Sequence, residues 1–133
     1  MNIKHVPTAE LEVLASLRQM EQATAREIRE HMQPYRPMAH GSVMNLLKRL
    51  EAKKLVAKKK GPVGKAFVYR PTAATSSIYG NLLDRLLNRV FGGDSLAMVA
   101  SLFETKPPDR HQLDKLEELL DDLRQKYRGK DLP

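Results

Sequence analysis

The chain has 133 residues, of which 41% are hydrophobic and none is cysteine, and its formal net charge at pH 7 is +7. This length fits one ordinary domain or one small domain with an appendage, and the lack of cysteine excludes disulfides, thiolate metal sites and cysteine nucleophiles. No apolar run approaches the roughly 18 residues of a membrane span, and residues 1–10 lack the apolar segment of a secretion signal, so we expect a cytoplasmic protein without a membrane partner.

The first part of the chain predicts two helices and a turn. Thr8 is a favourable N-cap for a first helix over about residues 9–20. A second helix over about residues 25–33 begins with a capping box, in which Thr24 and Glu27 each satisfy a backbone N–H at the helix start. Residues 34–39 contain two prolines, which forbid a continuous helix, so this segment is a turn.

Residues 40–53 have the pattern of an amphipathic helix. Four apolar residues fall at i, i+3, i+4 and i+7, which places them on one face: Val43, Leu46, Leu47 and Leu50. The opposite face presents small, amide-bearing and cationic side chains, which suit a helix lying in a DNA major groove. Its members are Gly41, Asn45, Lys48 and Ala52, flanked by Ser42 and Arg49.

A basic hairpin follows this helix. Residues 55–60 and 66–70 are two β-prone runs, and Gly61 and Gly64 supply the backbone freedom that the tip requires. Residues 48–70 hold 9 basic residues against a single acidic one, so the whole positive excess lies on this helix and hairpin. Such a local excess indicates binding to a polyanion. The order of elements is typical of the recognition helix and wing of a winged helix-turn-helix domain.

The remainder of the chain predicts a helical tail. The small, polar residues 72–77 suggest a hinge, and we place the domain boundary there, with a winged-helix domain at 1–74 and a helical dimerisation domain at 75–133. A helix ending at Gly92 and Gly93, a short helix capped by Asp94 or Ser95, and a last helix starting at Asp109 follow. The fold class is therefore mostly α with a small β-hairpin wing.

The tail exposes more apolar surface than a lone chain can bury. About 58 residues are too few to cover three strongly apolar helices, and leaving them exposed would promote aggregation. We therefore predict a twofold-symmetric homodimer, although packing back on the first domain is an alternative. The last helix carries an a/d heptad pattern. The predicted dimerisation residues are Leu82, Leu86, Val90, Phe91, Leu113, Leu116, Leu120, Leu123 and Tyr127.

The DNA-contacting residues follow from their places on the helix and the wing. Asn45 could bond a base edge, with solvent exposure as the alternative, and His40 could contact DNA or be a cap or surface residue. Arg49 could neutralise a phosphate or pair with an acid inside the domain. The predicted DNA-binding residues are Thr24, His40, Ser42, Asn45, Lys48, Arg49, Lys58, Lys59, Lys60 and Lys65.

No enzyme constellation emerges from the sequence. The four histidines are scattered, with no i, i+4 pair that would hold a metal, and the paired acids of the last helix lie on its solvated side. The pattern therefore predicts no catalytic residues, no metal and no cofactor.

Three segments resemble the penicillinase-repressor family: residues 24–28, residues 42–50 and residues 67–69. The tail resembles it too, from the leucine-rich helix through residues 91–96 to residues 116–120. The resemblance covers about residues 7–125. It implies a homodimeric transcriptional repressor that covers a palindromic operator and leaves when an inducing signal arrives.

The sequence departs from this family at the positions that define its known signals. In members that respond to β-lactams, a sensor protease cuts an Asn-Phe bond in the short helix after the Gly-Gly pair, and residues 95–101 contain no such bond. Copper-responsive members carry a cysteine-rich C-terminal motif, which this chain lacks. The inducer or protease is therefore unknown. Lys54 stands where members commonly have glycine.

Together these patterns predict a sequence-specific repressor of double-stranded DNA that acts as a homodimer on an operator. The alternative is a winged-helix adaptor module whose helical tail binds a protein partner.

Overall fold

The computed structural model describes residues 6–62, 64 and 66–128, which form six helices and one two-stranded hairpin. The elements are α1 (Thr8–Met20), α2 (Ala25–Met32), α3 (His40–Ala52), β1 (Val56–Lys60), β2 (Phe67–Pro71), α4 (Ala74–Phe91), α5 (Ser95–Thr105) and α6 (Arg110–Lys126). The chain divides into two compact units, Met1–Arg85 and Leu86–Pro133. The predicted fold class, mostly α with a β-hairpin wing, is confirmed.

The core of the first unit is built by α1, α2 and α3. The apolar stripe predicted for α3 is confirmed, since Val43, Leu47 and Leu50 are fully buried and Leu46 is partly buried. Each such side chain contributes roughly 1.5–3 kcal/mol when it is withdrawn from water. Burial of this stripe fixes which face of α3 remains exposed.

The helix starts agree with the sequence at α2 and differ at α1. The capping box of α2 is confirmed: Thr24 Oγ1 accepts a hydrogen bond from the Glu27 amide at 3.2 Å, and Glu27 Oε1 accepts one from the Thr24 amide at 2.8 Å. The expected Thr8 cap is wrong, because Thr8 is already the first helical residue. Pro7 is the N-cap, and its carbonyl accepts the first helical bond from Leu11.

The end of α3 explains the unusual residue at position 54. The Leu55 amide donates to the Leu50 carbonyl and the Lys54 amide donates to the Glu51 carbonyl, both at 2.9 Å. This pair of bonds is a Schellman motif, which requires a left-handed residue after the helix. Lys54 takes that position with φ of 63°.

The hairpin pairs β1 with β2 in antiparallel register, with Lys58 opposite Tyr69. The two predicted wing strands are confirmed: β1 begins one residue later than predicted, and β2 is displaced by one residue at both ends. A single bridge joins Ala23 to Tyr69, with reciprocal bonds of 3.0 and 2.8 Å. This bridge ties the wing to the segment between α1 and α2, and it was not foreseen from the sequence.

The predicted hinge at 72–77 is wrong from Ala74 onward, because α4 begins there and continues without a break. Thr75 and Ile78 are buried in the first unit, and Thr75 Oγ1 donates to the Thr72 carbonyl at 2.7 Å. Small polar residues are compatible with a first helical turn, so their composition alone did not distinguish a hinge from a helix start.

The second unit contains the end of α4 and the two remaining helices. Gly92 and Gly93 have φ of 57° and 84° and end α4, as predicted. Asp94 caps α5, and Asp109 forms a capping box with Gln112 at the start of α6. None of the residues of α5 or α6 is buried. No helix in the described part of the chain is long and apolar enough to span a membrane.

Candidate nucleic-acid interface

The exposed side of α3 is the centre of the candidate interface. Gly41, Asn45 and Lys48 are exposed and lie opposite the buried stripe, as predicted. An Asn amide and a Lys ammonium can both bond the edges of base pairs in a major groove. Because α3 is held by its buried stripe, these side chains project from a rigid element.

A wing-side cavity of about 280 Å³ borders this face on one side. It brings together two residues predicted from distant parts of the sequence, Thr24 and His40. His40 is the first residue of α3 and Ala39 is its N-cap, so His40 does not cap the helix. The lining of the cavity includes Thr24, Arg26, His40, Met44, Phe67 and Tyr69.

A turn-side concavity of about 360 Å³ borders the other side of the same face. Arg49 lines it and is exposed, and among the ion pairs of the described residues none involves Arg49. The alternative of an internal acidic partner for Arg49 is therefore not realised there. The lining includes Arg36, Met38, Ser42, Asn45, Leu46 and Arg49.

The wing lysines divide into two groups. Lys58 Nζ lies 3.5 Å from Glu51 Oε1 and 4.6 Å from the centroid of the Phe67 ring, so it is directed back toward α3. Lys59 and Lys60 are exposed on β1. Lys65 lies outside the described residues. A fully solvated cation is available for a phosphate, whereas Lys58 must first leave its two partners.

Tyr69 is a core residue of the wing and not a base-stacking platform. It is 4% exposed, and burial raises the pKa of its hydroxyl above the ordinary value. The ammonium of Lys58 acts on that pKa in the opposite direction, and Glu51 raises it further. The hydroxyl is therefore neutral near pH 7. Phe67 is 38% exposed and leaves part of its ring to the wing-side cavity.

An ion pair joins α1 to the end of α3. Lys53 Nζ donates to Glu10 Oε1 at 2.6 Å, and the Glu10 side chain is 1% exposed. A buried carboxylate needs such a partner, so losing Lys53 would leave the Glu10 carboxylate as an uncompensated buried charge. The contact fixes the C-terminal end of α3 relative to the core.

Three basic residues near the interface were missed from the sequence, and one of them, Arg36, lines the turn-side concavity. Arg26 lines the wing-side cavity, and Arg70 is exposed on β2 beside the wing lysines. Arg26 is within the capping segment and also pairs with Glu30 at 3.2 Å. The strand assignment of residues 66–70 could have indicated Arg70, because its place in the wing follows from that assignment.

The residues predicted to form a dimer lie in different environments. Leu82 is half-buried against the core of the first unit, whereas Val90 is 65% exposed. Among the heptad positions of α6 and its C-cap residue Tyr127, Leu116 is half-buried and the other four are between 41% and 48% exposed. Three exposed residues of α5 were not anticipated: Leu96, Val99 and Leu102.

Within residues 6–62, 64 and 66–128, no group of three or more His, Asp or Glu residues is arranged to hold a metal ion.

Comparison with known proteins identifies the family and the fold. The family model described as penicillinase repressor matches residues 6–122. Among curated proteins, no sequence matches the chain. The E. coli protein MarR, solved as a mutant in complex with operator DNA, is similar in structure with a TM-score of 0.56 and 20% identity, over 90% of this chain and 76% of that one. YusO from Bacillus subtilis gives a TM-score of 0.54 and 21% identity, over 90% and 75%.

At these identities the structural likeness concerns the fold alone, and it agrees with the winged helix seen here. The resemblance predicted from the sequence is confirmed by the family model.

Proposed function

Because the chain belongs to the penicillinase repressor family, a family of transcriptional regulators and not of enzymes, we propose that it represses transcription as a homodimer on a palindromic operator in double-stranded DNA. The observation that carries this proposal is the exposed face of α3, polar and cationic, next to a basic wing. Residues 1–75 hold 14 Lys and Arg against 6 Asp and Glu, so the domain carries +8. A repressor of this kind acts in the cytoplasm.

In the proposed complex, some residues of α3 contact bases and others contact phosphates. Asn45 bonds a base edge in the major groove, and adenine is the usual bidentate partner of an Asn side chain. Lys48 and Arg49 neutralise phosphates beside the helix, and Lys59 and Lys60 do so from the wing. Phosphate contacts provide affinity that is independent of sequence, while base contacts provide specificity. The MarR structure with operator DNA supports this use of the fold.

The second copy is proposed because many of the described apolar residues of α4 to α6 are exposed. Five leucines of α4 and α6 that are at least 43% exposed, and Val90, would bury their side chains against a symmetric copy: Leu83, Leu86, Leu113, Leu120 and Leu123. A twofold interface uses the same patch on both chains, and it makes the operator palindromic because each α3 reads one half-site.

Relief of repression requires a signal that is not the one known for the family's β-lactam or copper branches. Residues 95–101 lack the Asn-Phe bond, and the chain has no cysteine. We propose that an unidentified ligand or a protease with a different cleavage site weakens binding.

Selection of bound fragments from the organism's genomic DNA tests the proposal. We expect enrichment of a short palindrome, with the logarithm of the binding constant falling against the logarithm of salt at about −0.9 per phosphate neutralised. Asn45→Ala should reduce the preference for the palindrome over random duplex, whereas Lys59→Ala should weaken both similarly.

Two results would contradict the proposal. One is the absence of any enriched sequence. The other is an equal effect of both variants on palindrome and random duplex. Capture of a protein by the exposed helices, with no enriched DNA, would favour the adaptor alternative.

A further inference from the structure

The exposed face of α3 is bordered by a concavity on each side, and only one of them is next to the wing. His40 and Met44 line the wing-side cavity, and Ser42 and Arg49 line the turn-side concavity. At about 100° per residue, these two pairs stand on opposite borders of the face that carries Asn45. None of the described wing residues lines the turn-side concavity.

The turn-side concavity holds a second arginine, Arg36, from the segment between α2 and α3. Its Nη1 donates to Glu12 Oε1 of α1, and its side chain is 44% exposed while that of Glu12 is 26% exposed. A guanidinium has five N–H donors in a fixed plane, and the bond to Glu12 uses one of them. Glu12 therefore orients Arg36 without consuming its capacity to bind an anion.

The composition of this concavity favours an anion. Arg36 and Arg49 line it together with Ser42, and none of the described residues in the lining is acidic. Two guanidinium groups with a hydroxyl between the helix and the turn offer the planar, forked donors that match phosphate oxygens.

The dimensions of the DNA major groove indicate which phosphates would lie next to the turn-side concavity. An α-helix with its side chains is about 10–12 Å wide and the major groove is about 12 Å wide, so a helix in the groove lies between two walls of phosphates. The wing and the start of α2 are next to one border of α3. The other border must meet the opposite strand.

We propose, on the basis of the function proposed above, that Arg36 and Arg49 bind the phosphodiester backbone of the strand that walls the groove opposite the wing. Arg36 touches the phosphate, and Glu12 is a positioning residue that holds Arg36 in place. The recognition helix is thus clamped between both strands of each half-site, which fixes its depth and its register on the bases.

The test measures the salt dependence of binding of the full-length protein to its selected duplex. Arg36→Gln should make the slope less steep by about 0.9 per chain and weaken operator and random duplex by similar factors. Arg36→Lys should retain the slope, because it keeps the charge. Lys115→Gln is the matched control, since it also removes one positive charge and one exposed ion pair, with Glu118 at 3.3 Å, and it should leave the slope unchanged.

A scan with methylphosphonate linkages then identifies the phosphate. We expect one position in each half-site, on the strand away from the wing, at which a methylphosphonate weakens DNA binding by the wild type. The same substitution should not weaken DNA binding by Arg36→Gln further. Thermal unfolding midpoints of the variants close to that of the wild type exclude a folding defect. In Glu12→Gln, the methylphosphonate at this position should weaken DNA binding less than it does in the wild type.

Equal slopes for Arg36→Gln and Lys115→Gln would overturn the inference, as would an additive effect of Arg36→Gln at every methylphosphonate position. Failure of the repressor proposal has a different outcome, in which the wild-type protein itself shows no preference for any duplex.

Discussion

Among the residues that the structure describes, Gly41 and Gly80 are the two glycines that lie in helices, and both have open space where a Cβ would be placed. Gly41 is on the exposed face of α3, whereas Gly80 is on α4. Glycine is less favourable than alanine in a helix interior by about 1 kcal/mol. The unbound structure therefore gives no packing reason for glycine at either position.

Replacing each glycine by alanine should separate folding from DNA binding. We expect Gly41→Ala and Gly80→Ala each to raise the free energy of unfolding by up to about 1 kcal/mol. Only Gly41→Ala should weaken operator binding, because its methyl group would stand between α3 and the base edges. Urea unfolding and duplex titration measure the two effects. Equal operator affinity of both variants would show that α3 does not approach DNA through Gly41.

Lys54 adopts a left-handed conformation that disfavours every residue with a Cβ, at roughly 1–2 kcal/mol. We predict that Lys54→Gly increases the free energy of unfolding by about 1 kcal/mol, because glycine adopts this conformation without a steric penalty. Lys54→Ala is the control, since it removes the same charge and keeps the unfavourable conformation, and it should not stabilise the protein. Stabilisation by both variants would point to charge repulsion among the neighbouring lysines.

At the scale of residues, the features that were predicted correctly depend on local sequence patterns. The side of α3 that carries Asn45 follows from the 3.6-residue period, and the Thr24 cap follows from a four-residue motif. Arg36 was not predicted, because its place beside Arg49 depends on how the turn after α2 packs against α1. The direction of Lys58 toward Glu51 was missed for the same reason, since it depends on where the hairpin lies against α3.

At the scale of single helices, α6 combines an exposed apolar stripe with ends that are held by local hydrogen bonds. In α6, Leu120 and Leu123 are 47% and 43% exposed, yet both ends of the helix are made by local bonds, with Asp109 and Gln112 at its start. A helix with a capped start and an exposed apolar stripe can keep its shape without its partner. The stripe is thus available to hold two chains together.

Leu120→Glu should therefore dissociate the proposed dimer while the helix content is retained. A charge buried in the centre of an apolar interface is strongly unfavourable, so the dimer constant should weaken by at least tenfold, which corresponds to about 1.4 kcal/mol. Leu119→Glu is the matched control, because Leu119 is also exposed but lies outside the a/d positions. Sedimentation velocity and circular dichroism report the two quantities. A monomeric wild type, or equal weakening by both variants, would contradict the heptad assignment.

The elements themselves were predictable wherever apolar period and caps agree, as in α2 and α6. The junction between the wing and α4 was not. Thr72 to Ser77 has the composition of a linker, but Thr75 and Ile78 are buried in the first unit. The composition of a segment indicates how readily it can face solvent. Whether the segment is in fact buried depends on the neighbouring elements that pack against it, and a local pattern does not show these.

At the scale of the whole molecule, the burial of the start of α4 in the first unit limits which truncated fragments can be used to test the dimer. Deleting residues from 76 onward would remove Ile78 from the core of the first unit, so loss of DNA binding by such a fragment would not distinguish a lost dimer from a lost fold. Point variants in the full-length chain avoid this ambiguity. The charge distribution agrees with a division of roles, since residues 76–133 carry 9 basic against 10 acidic residues.

The central claim is that two copies of this chain bind one duplex, with one α3 in each half-site. Sedimentation of the complex with a selected genomic duplex tests it most directly, with backbone protection mapped on the same sample. We predict two chains per duplex and two protected half-sites related by a twofold axis, about 34–36 Å apart or a multiple of that distance. A complex of one chain with one duplex and a single asymmetric protected site would contradict the claim.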